Sequence, residues 1–362
     1  MYTTDIITLP RFCFGRGVYG RFPELCRPLG RSFAVVGGVT GMEKGLPSLK
    51  AAIADTDMEL LCALPFGGAC TQQAMDALSA QLSPLKPDFL VGMGGGKAID
   101  TAKGVAYQLE IPLVSMPTLV SNCAPITALS VVYREDGPFD RFQFFDAPPA
   151  LTLIDLAIAA AAPAKYFRAG MGDTLAKHLE STFSARNDEL GISLDHLSSI
   201  GLALSTTCYD PIIKYGRKAL DEVERGEAGP AMEICARSII VSAGLVSLMA
   251  NDDYNCALAH ATCYGLQLFP HVEHEFLHGD LVAYGALVQL VLDGQEKKAR
   301  ELRDFLVTLG TPVTLHEMRV PLDRSLLEAT LHEATTGPDM AHIPYAVTPD
   351  MVFDAMRRVE TL

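Results

Sequence analysis

Residues 88–103 read DFLVGMGGGKAIDTAK, and the fold is decided here. Phe89, Leu90 and Val91 form a short apolar run suited to a buried strand. Gly92, Gly94, Gly95 and Gly96 make a turn almost without side chains, and residues 98–109 have the pattern of a helix. A strand, a glycine turn and a helix together make an anion site. Backbone N–H groups at a helix N-terminus lack intrahelical partners and carry the positive end of the helix dipole, so a phosphate approaches closely where no Cβ stands in the way. Lys97 adds a cation at the same place. A tight turn with no ligand is the competing reading of the same residues. The stretch fits neither common phosphate fingerprint: it has no G-x-G-x-x-G, and Ala98 stands where a Walker loop needs Ser or Thr.

Outward from this stretch the chain alternates. Residues 11–14, followed by Gly15, Gly17 and Gly20, suggest an opening strand and turn. Residues 32–36, 59–64, 112–117, 129–133 and 151–155 read as strands, and 46–53 and 71–82 as helices, which is the α/β signature. In a doubly wound sheet the end of the first strand commonly offers a carboxylate to the adenosine ribose. Gly37-Gly38 occupies that position here, which leaves NADP open beside NAD, with Glu43 nearby as the available carboxylate. Beyond residues 157–163 the composition turns helical, with apolar residues at helical spacing in 169–185, 194–209, 231–249, 254–268 and 282–292. The expected organisation is an α/β domain over residues 1–160 and a helical domain over 161–362, with the ligand in the cleft between them.

A chain of 362 residues is too long for one ordinary core and long enough for two. Its net charge of −14 argues against nucleic acid or an anionic membrane as partner. No run of about 18 apolar residues stands out, and the opening residues lack the basic start and apolar centre of a signal peptide. The nine cysteines are an odd number without a C-x-x-C pair, which suits a reducing compartment. A soluble cytoplasmic protein is expected.

Three places in the helical half put metal-capable side chains beside small residues: Asp173 in RAGMGDTLAKHLE, His260 in NCALAHATCYGL, and His278 in HVEHEFLHGDLVAYG. One carboxylate and two imidazoles make a three-ligand set for zinc or ferrous iron that leaves a coordination position for a substrate oxygen. Two other readings stay open. Asp173 can be a helix cap before Thr174, and His274 with His278, at i and i+4, can be a ligand pair on one helix face. Cys256 and Cys263 read as small core residues, and His178 and His196 receive no role.

Taken together, GMGGGKAIDTAK, PLVSMPTLVSNCAPITALSVVYREDG, GMGDTLAKHLE, HATCYGL, FLHGDLVAYG and AHIPYAVTPD resemble, in order and over nearly the whole chain, the glycerol dehydrogenase branch of the iron-containing (group III) alcohol dehydrogenases. The resemblance implies the dehydroquinate synthase-like fold, an α/β nucleotide-binding domain followed by an all-helical one, with NAD or NADP and one divalent metal, zinc ahead of iron. It implies that Gly94, Gly95, Gly96, Lys97 and Asp100 hold the pyrophosphate. Thr118, Ser121, Thr127, Leu129 and Tyr133 would surround the nicotinamide half, Asp173, His260 and His278 would bind the metal, and His274 would line the pocket. It also implies a homo-oligomer and a small-molecule alcohol or oxo substrate.

Two departures from the family pattern bear on the substrate. Lys177 stands where the alcohol and butanol dehydrogenases carry a fourth ligand, a histidine, which favours the three-ligand branch. Cys123, in Ser121-Asn122-Cys123-Ala124-Pro125, replaces the polyol-contacting aspartate of glycerol dehydrogenases. Losing that negative charge relieves repulsion of an acidic substrate, and Cys123 with GDTLAK and VTPD also resembles the hydroxycarboxylate dehydrogenase subgroup, which reduces 2-oxo acids. The expected reaction is hydride transfer between the nicotinamide and a small polyol or hydroxy compound. A lyase on the same scaffold, resembling dehydroquinate synthase, and a nucleotide-binding protein without catalysis are the rivals.

Overall fold

The apolar run that begins at Phe89 continues to Gly94 with every residue buried, and it lies inside a six-stranded parallel sheet. The strands are β1 (Phe12–Gly15), β2 (Ser32–Gly37), β3 (Glu59–Pro65), β4 (Phe89–Gly94), β5 (Leu113–Pro117), β6 (Leu129–Tyr133), β7 (Phe139–Phe144) and β8 (Leu151–Asp155). The sheet order is β1-β8-β5-β4-β2-β3, while β6 and β7 pair separately as an antiparallel hairpin. The computed structural model describes residues 6–137, 139–190 and 194–362. Helices α1 (Phe22–Cys26), α2 (Val39–Ile53), α3 (Gln72–Leu82), α4 (Gly96–Gln108) and α5 (Leu156–Ala160) accompany the strands. Phe33 of β2 stacks on Phe89 of β4 at 5.3 Å, and Phe22 of α1 closes that core.

From β2 the chain runs to the sheet edge at β3, then crosses back to β4 on the other side of β2. The direction of winding therefore reverses between β2 and β4, and ligands of open α/β sheets bind outside the carboxyl ends of the strands at such a point. Those carboxyl ends are Gly37 and Gly94. Gly94 has φ +146, a left-handed conformation that favours glycine, and a side chain on Gly37 would meet the Met93 carbonyl at 2.4 Å.

The helical half contains α6 (Ala164–Ser184), α7 (His196–Leu204), α8 (Thr206–Glu224), α9 (Pro230–Arg237), α10 (Ala243–Met249), α11 (Leu258–Gln267), α12 (Pro270–Glu275), α13 (His278–Leu292), α14 (Glu296–Leu309), α15 (Glu328–Thr336) and α16 (Pro349–Val359). One compact unit comprises the residues up to Pro163 together with Glu222–Glu233, and the other Ala164–Asp221 with Ile234–Leu362. Within the first unit, Glu222 is buried and accepts the Met232 N–H at 2.7 Å, and Arg16 donates to the Ala228 carbonyl.

Several elements differ from expectation. Helix α2 begins at Val39 and runs through Gly41, Gly45 and Pro47, because its glycines let it lie against β4: a Cβ on Gly45 would meet Met93 Sδ at 2.6 Å. The span expected as one helix over 194–209 is divided between α7 and α8, and that over 231–249 passes through a π-helical turn at Ser238–Ser242. Strand β7 was not expected. Pro230–Met249 is long and apolar enough by length and composition to cross a membrane, but it carries Glu233 and Arg237 and half of its apolar window is buried inside the protein, as in a core helix.

Candidate functional site

Asp173 lies in the interior of α6 rather than at a helix start, so the capping reading is set aside. Gly172, next to it, sits where a Cβ would meet the Gly279 carbonyl at 2.3 Å. Conversely, a Cβ on Gly279 would meet the Ala169 carbonyl at 1.9 Å. Helices α6 and α13 therefore touch backbone to backbone, with Asp173 on one side of the contact and His278 on the other. Arg168 and Asp280 clamp the crossing with a bidentate pair, Nε to Oδ1 at 3.0 Å and an η nitrogen to Oδ2 at 2.8 Å. The third partner arrives in the same way. A Cβ on Gly285 of α13 would meet the Ala259 carbonyl of α11 at 2.2 Å, and His260 is the next residue. Three functional side chains thus flank two helix contacts made close by glycine.

The result is a cluster whose ligand atoms all lie within 4.8 Å of one another. Asp173 Oδ1 is 3.4 Å from His260 Nε2 and 3.9 Å from His278 Nε2. Donors about 2.1 Å from a tetrahedral ion are separated by roughly 3.4 Å, so the spacing suits a divalent metal. Burial would raise the Asp173 carboxyl, but the His260 hydrogen bond, His278 and Lys177 outweigh it and hold the group below its ordinary value. Burial would likewise lower His260, yet Cys256, Glu180 and Asp173 hold it well above its ordinary value. His278 goes the other way: burial, with His260 and Lys177, lowers it against the pull of Asp173 and Glu180, which leaves its imidazole neutral and able to ligate. Asp173, His260 and His278 make an Asp/His/His divalent-metal site.

His274 does not join the cluster. It is exposed on α12, while His278 opens α13, so the i, i+4 pair is broken by Phe276-Leu277 and the two histidines share no helix face. Cys263 is more than core filling, since its sulfur lies 3.4 Å from His278 Nδ1. Spacing also passed over Glu180, which bonds His260 Nδ1 at 2.6 Å. It passed over Asp339 too, in the Pro338–Met340 turn. Burial first, then Glu180 and Asp252, push the Asp339 carboxyl up to about 6 against His260 and Lys177, and its Oδ2 is buried without a hydrogen-bond partner. Lys177 donates to the Asn255 carbonyl at 2.8 Å.

At the glycine turn, Gly95 caps α4 in extended conformation, and Gly96 lies under Asn122, whose Nδ2 would be 2.7 Å from a Cβ there. Lys97 is exposed, with Nζ 4.7 Å above the Tyr133 ring. Thr118 is buried and its N–H donates to the Gly94 carbonyl at 3.0 Å. Asp100 differs from expectation. Its carboxylate is buried and engaged by Lys103 Nζ at 3.0 Å and the Val131 N–H at 3.2 Å, and Lys103 also donates to Thr127 Oγ1 and the Leu129 carbonyl. Asp100, Thr127 and Leu129 thus bind β6 to α4 rather than presenting polar groups outward. Ser121 and Cys123 are half-buried in the segment after β5 that carries Asn122.

The family model described as iron-containing alcohol dehydrogenase matches residues 10–156. A glycerol dehydrogenase of Escherichia coli O6:H1 is 31% identical over 352 residues, covering 96% of this chain and 94% of that one. The chain belongs to the iron-containing alcohol dehydrogenase family. Hydroxycarboxylate dehydrogenase A of E. coli K12 is 30% identical over 298 residues, 82% of this chain and 81% of that one. The crystal structure of glycerol dehydrogenase from Schizosaccharomyces pombe superposes with a TM-score of 0.89 at 26% identity, covering 99% of this chain and 91% of that one. Within the iron-containing alcohol dehydrogenases the chain lies on the glycerol dehydrogenase branch, and it is an NAD(P)-linked, metal-assisted oxidoreductase of small hydroxy compounds.

Proposed function

We propose that the protein interconverts a small polyol, of the glycerol or 1,2-diol kind, and its carbonyl form, dihydroxyacetone for glycerol, by hydride exchange with NAD or NADP. The observation that carries this reading is the Asp173–His260–His278 cluster in a chain similar over almost its whole length to a glycerol dehydrogenase. The three side chains hold the metal, zinc ahead of iron because one carboxylate and two imidazoles suit it and zinc needs no redox partner. When bound, a divalent ion supplies Lewis acidity toward an alcohol or carbonyl oxygen. Gly94, Gly95 and Gly96 give the pyrophosphate its close approach, and Lys97 gives it a cation. Thr118, Ser121 and Tyr133 face the nicotinamide half, while Asp100, Thr127 and Leu129, tied through Lys103, keep that wall fixed. Residues 1–160 serve the dinucleotide and 161–362 the metal and substrate.

A second reading, reduction of 2-oxo acids, is favoured by Cys123, which puts an uncharged thiol where the polyol-binding carboxylate is expected, and by the similarity to hydroxycarboxylate dehydrogenase A. The test follows nicotinamide absorbance with NADH and NADPH separately, over glycerol, 1,2-diols, dihydroxyacetone and 2-oxo acids. Dihydroxyacetone as the fastest reduced substrate supports the polyol reading. Faster reduction of 2-oxo acids replaces it with the second, and product formation without net absorbance change replaces both with a lyase.

A further inference from the structure

Glu180 is the least exposed charged side chain near the cluster, at 0% exposure, and its two oxygens are differently employed. Oε1 accepts the N–H groups of Ala257 and His260, at 2.8 and 2.9 Å. Oε2 lies 2.6 Å from His260 Nδ1. Ala257 is the N-cap residue of α11 and its own side chain caps nothing, so a carboxylate from α6 supplies the cap and the negative charge that a helix N-terminus favours. Glu180 lies seven residues, two helical turns, beyond Asp173 and therefore on the same face of α6. One helix thus presents a carboxylate to each nitrogen of the His260 ring, Glu180 to Nδ1 and Asp173 to Nε2.

We infer that Glu180 is a positioning residue that fixes His260 as the Nδ1–H tautomer, leaving the Nε2 lone pair for the metal, while the same carboxylate locks the helix start that carries the ring. The inference rests on the reading of Asp173, His260 and His278 as the metal site. Glu180 already acts as an acceptor toward two backbone N–H groups, and with Nδ1 as the donor to its other oxygen the ring's lone pair is left at Nε2. Histidines that ligate metals are commonly oriented this way, and losing the partner weakens metal binding about 10–100-fold. A glutamine at 180 keeps the size but has a single acceptor end. With its oxygen on the two backbone N–H groups, its NH2 faces Nδ1 and calls for the opposite tautomer. Turned over, it sets donor against donor at Ala257 and His260.

The test uses the full-length protein, stripped of metal and titrated with Zn²⁺ against a chromophoric chelator, with Glu180→Gln and His260→Ala as variants. Expected is a Glu180→Gln protein with native circular dichroism and native NADH affinity whose Zn²⁺ affinity is about 10–100-fold weaker. A purely structural cap would lower thermal stability and leave Zn²⁺ affinity per folded molecule unchanged, and that result overturns the inference. Should Glu180→Gln not fold, ¹⁵N-histidine spectra of the zinc-loaded native protein decide instead. A proton on His260 Nδ1 supports the inference, and an unprotonated or metal-bound Nδ1 overturns it. Native Zn²⁺ affinity in His260→Ala refutes the metal-site reading itself, whereas loss there with retention in Glu180→Gln refutes only the role of Glu180.

Discussion

The glycine turn at 94–96 and the helical cluster around Asp173 both use glycine to bring groups close, but for opposite purposes. At the turn, the proposed role of glycine is to let a phosphate reach backbone N–H groups that any sequence possesses. At Gly172, Gly279 and Gly285, glycine removes bulk between helices so that three particular side chains converge. The first device should tolerate changes in neighbouring side chains and fail when a Cβ blocks the ligand. The second should fail whenever the helix spacing changes, even with every ligand residue intact.

The comparison breaks most severely if His260→Ala keeps its activity. Expected is a loss of several kcal/mol of transition-state stabilisation, on the order of 1,000-fold in kcat/KM, with metal content lost and NADH binding retained. Next in size is Lys103→Met, which leaves the buried Asp100 carboxylate without its cation. It should cost about 3–5 kcal/mol, read by denaturant unfolding, while the metal site keeps its affinity.

Gly279→Ala and Gly96→Ala form the sharpest pair. The added methyl at 279 meets a backbone carbonyl at 1.9 Å, so destabilisation of about 1–3 kcal/mol and weaker zinc binding are expected together. At 96 it meets only the end of Asn122, so stability should hardly change while NADH affinity falls. Smallest is the effect of Asp339→Asn in metal-stripped protein. The folded Asp339 pKa of about 6 lies above the unfolded value near 3.9, so the folded state binds the extra proton between those values and its stability falls as pH rises through that window. A shift from 3.9 to about 6 is worth at most about 3 kcal/mol, and solvent screening at this half-buried position takes part of it, so Asp339→Asn should be the more stable protein above pH 6 by about 1–2 kcal/mol and show no gain below about pH 4.

Both devices were legible in the sequence to different depths. The β4–α4 junction could be read because an apolar run, a glycine cluster and a helix follow one another without interruption. The start of α2 could not, because Gly41, Gly45 and Pro47 argue locally against helix, and only the packing of those glycines on β4 reverses that preference. The metal residues were visible as side-chain types beside small residues, and the resemblance to a known family put them in one set. Glu180 stayed hidden because a glutamate two turns after Asp173 looks like any solvent-facing helix residue until α11 is laid against it. Asp100 is the reverse case. It stands beside the glycine turn in sequence, yet its side chain points into the fold, to Lys103 and Val131.

The metal site can be located by anomalous diffraction from zinc-loaded crystals, collected on either side of the zinc absorption edge. One strong peak is expected, bonded to a carboxylate oxygen of Asp173 and to the Nε2 atoms of His260 and His278. A peak elsewhere, or none at these three residues in crystals of active enzyme, would contradict that assignment.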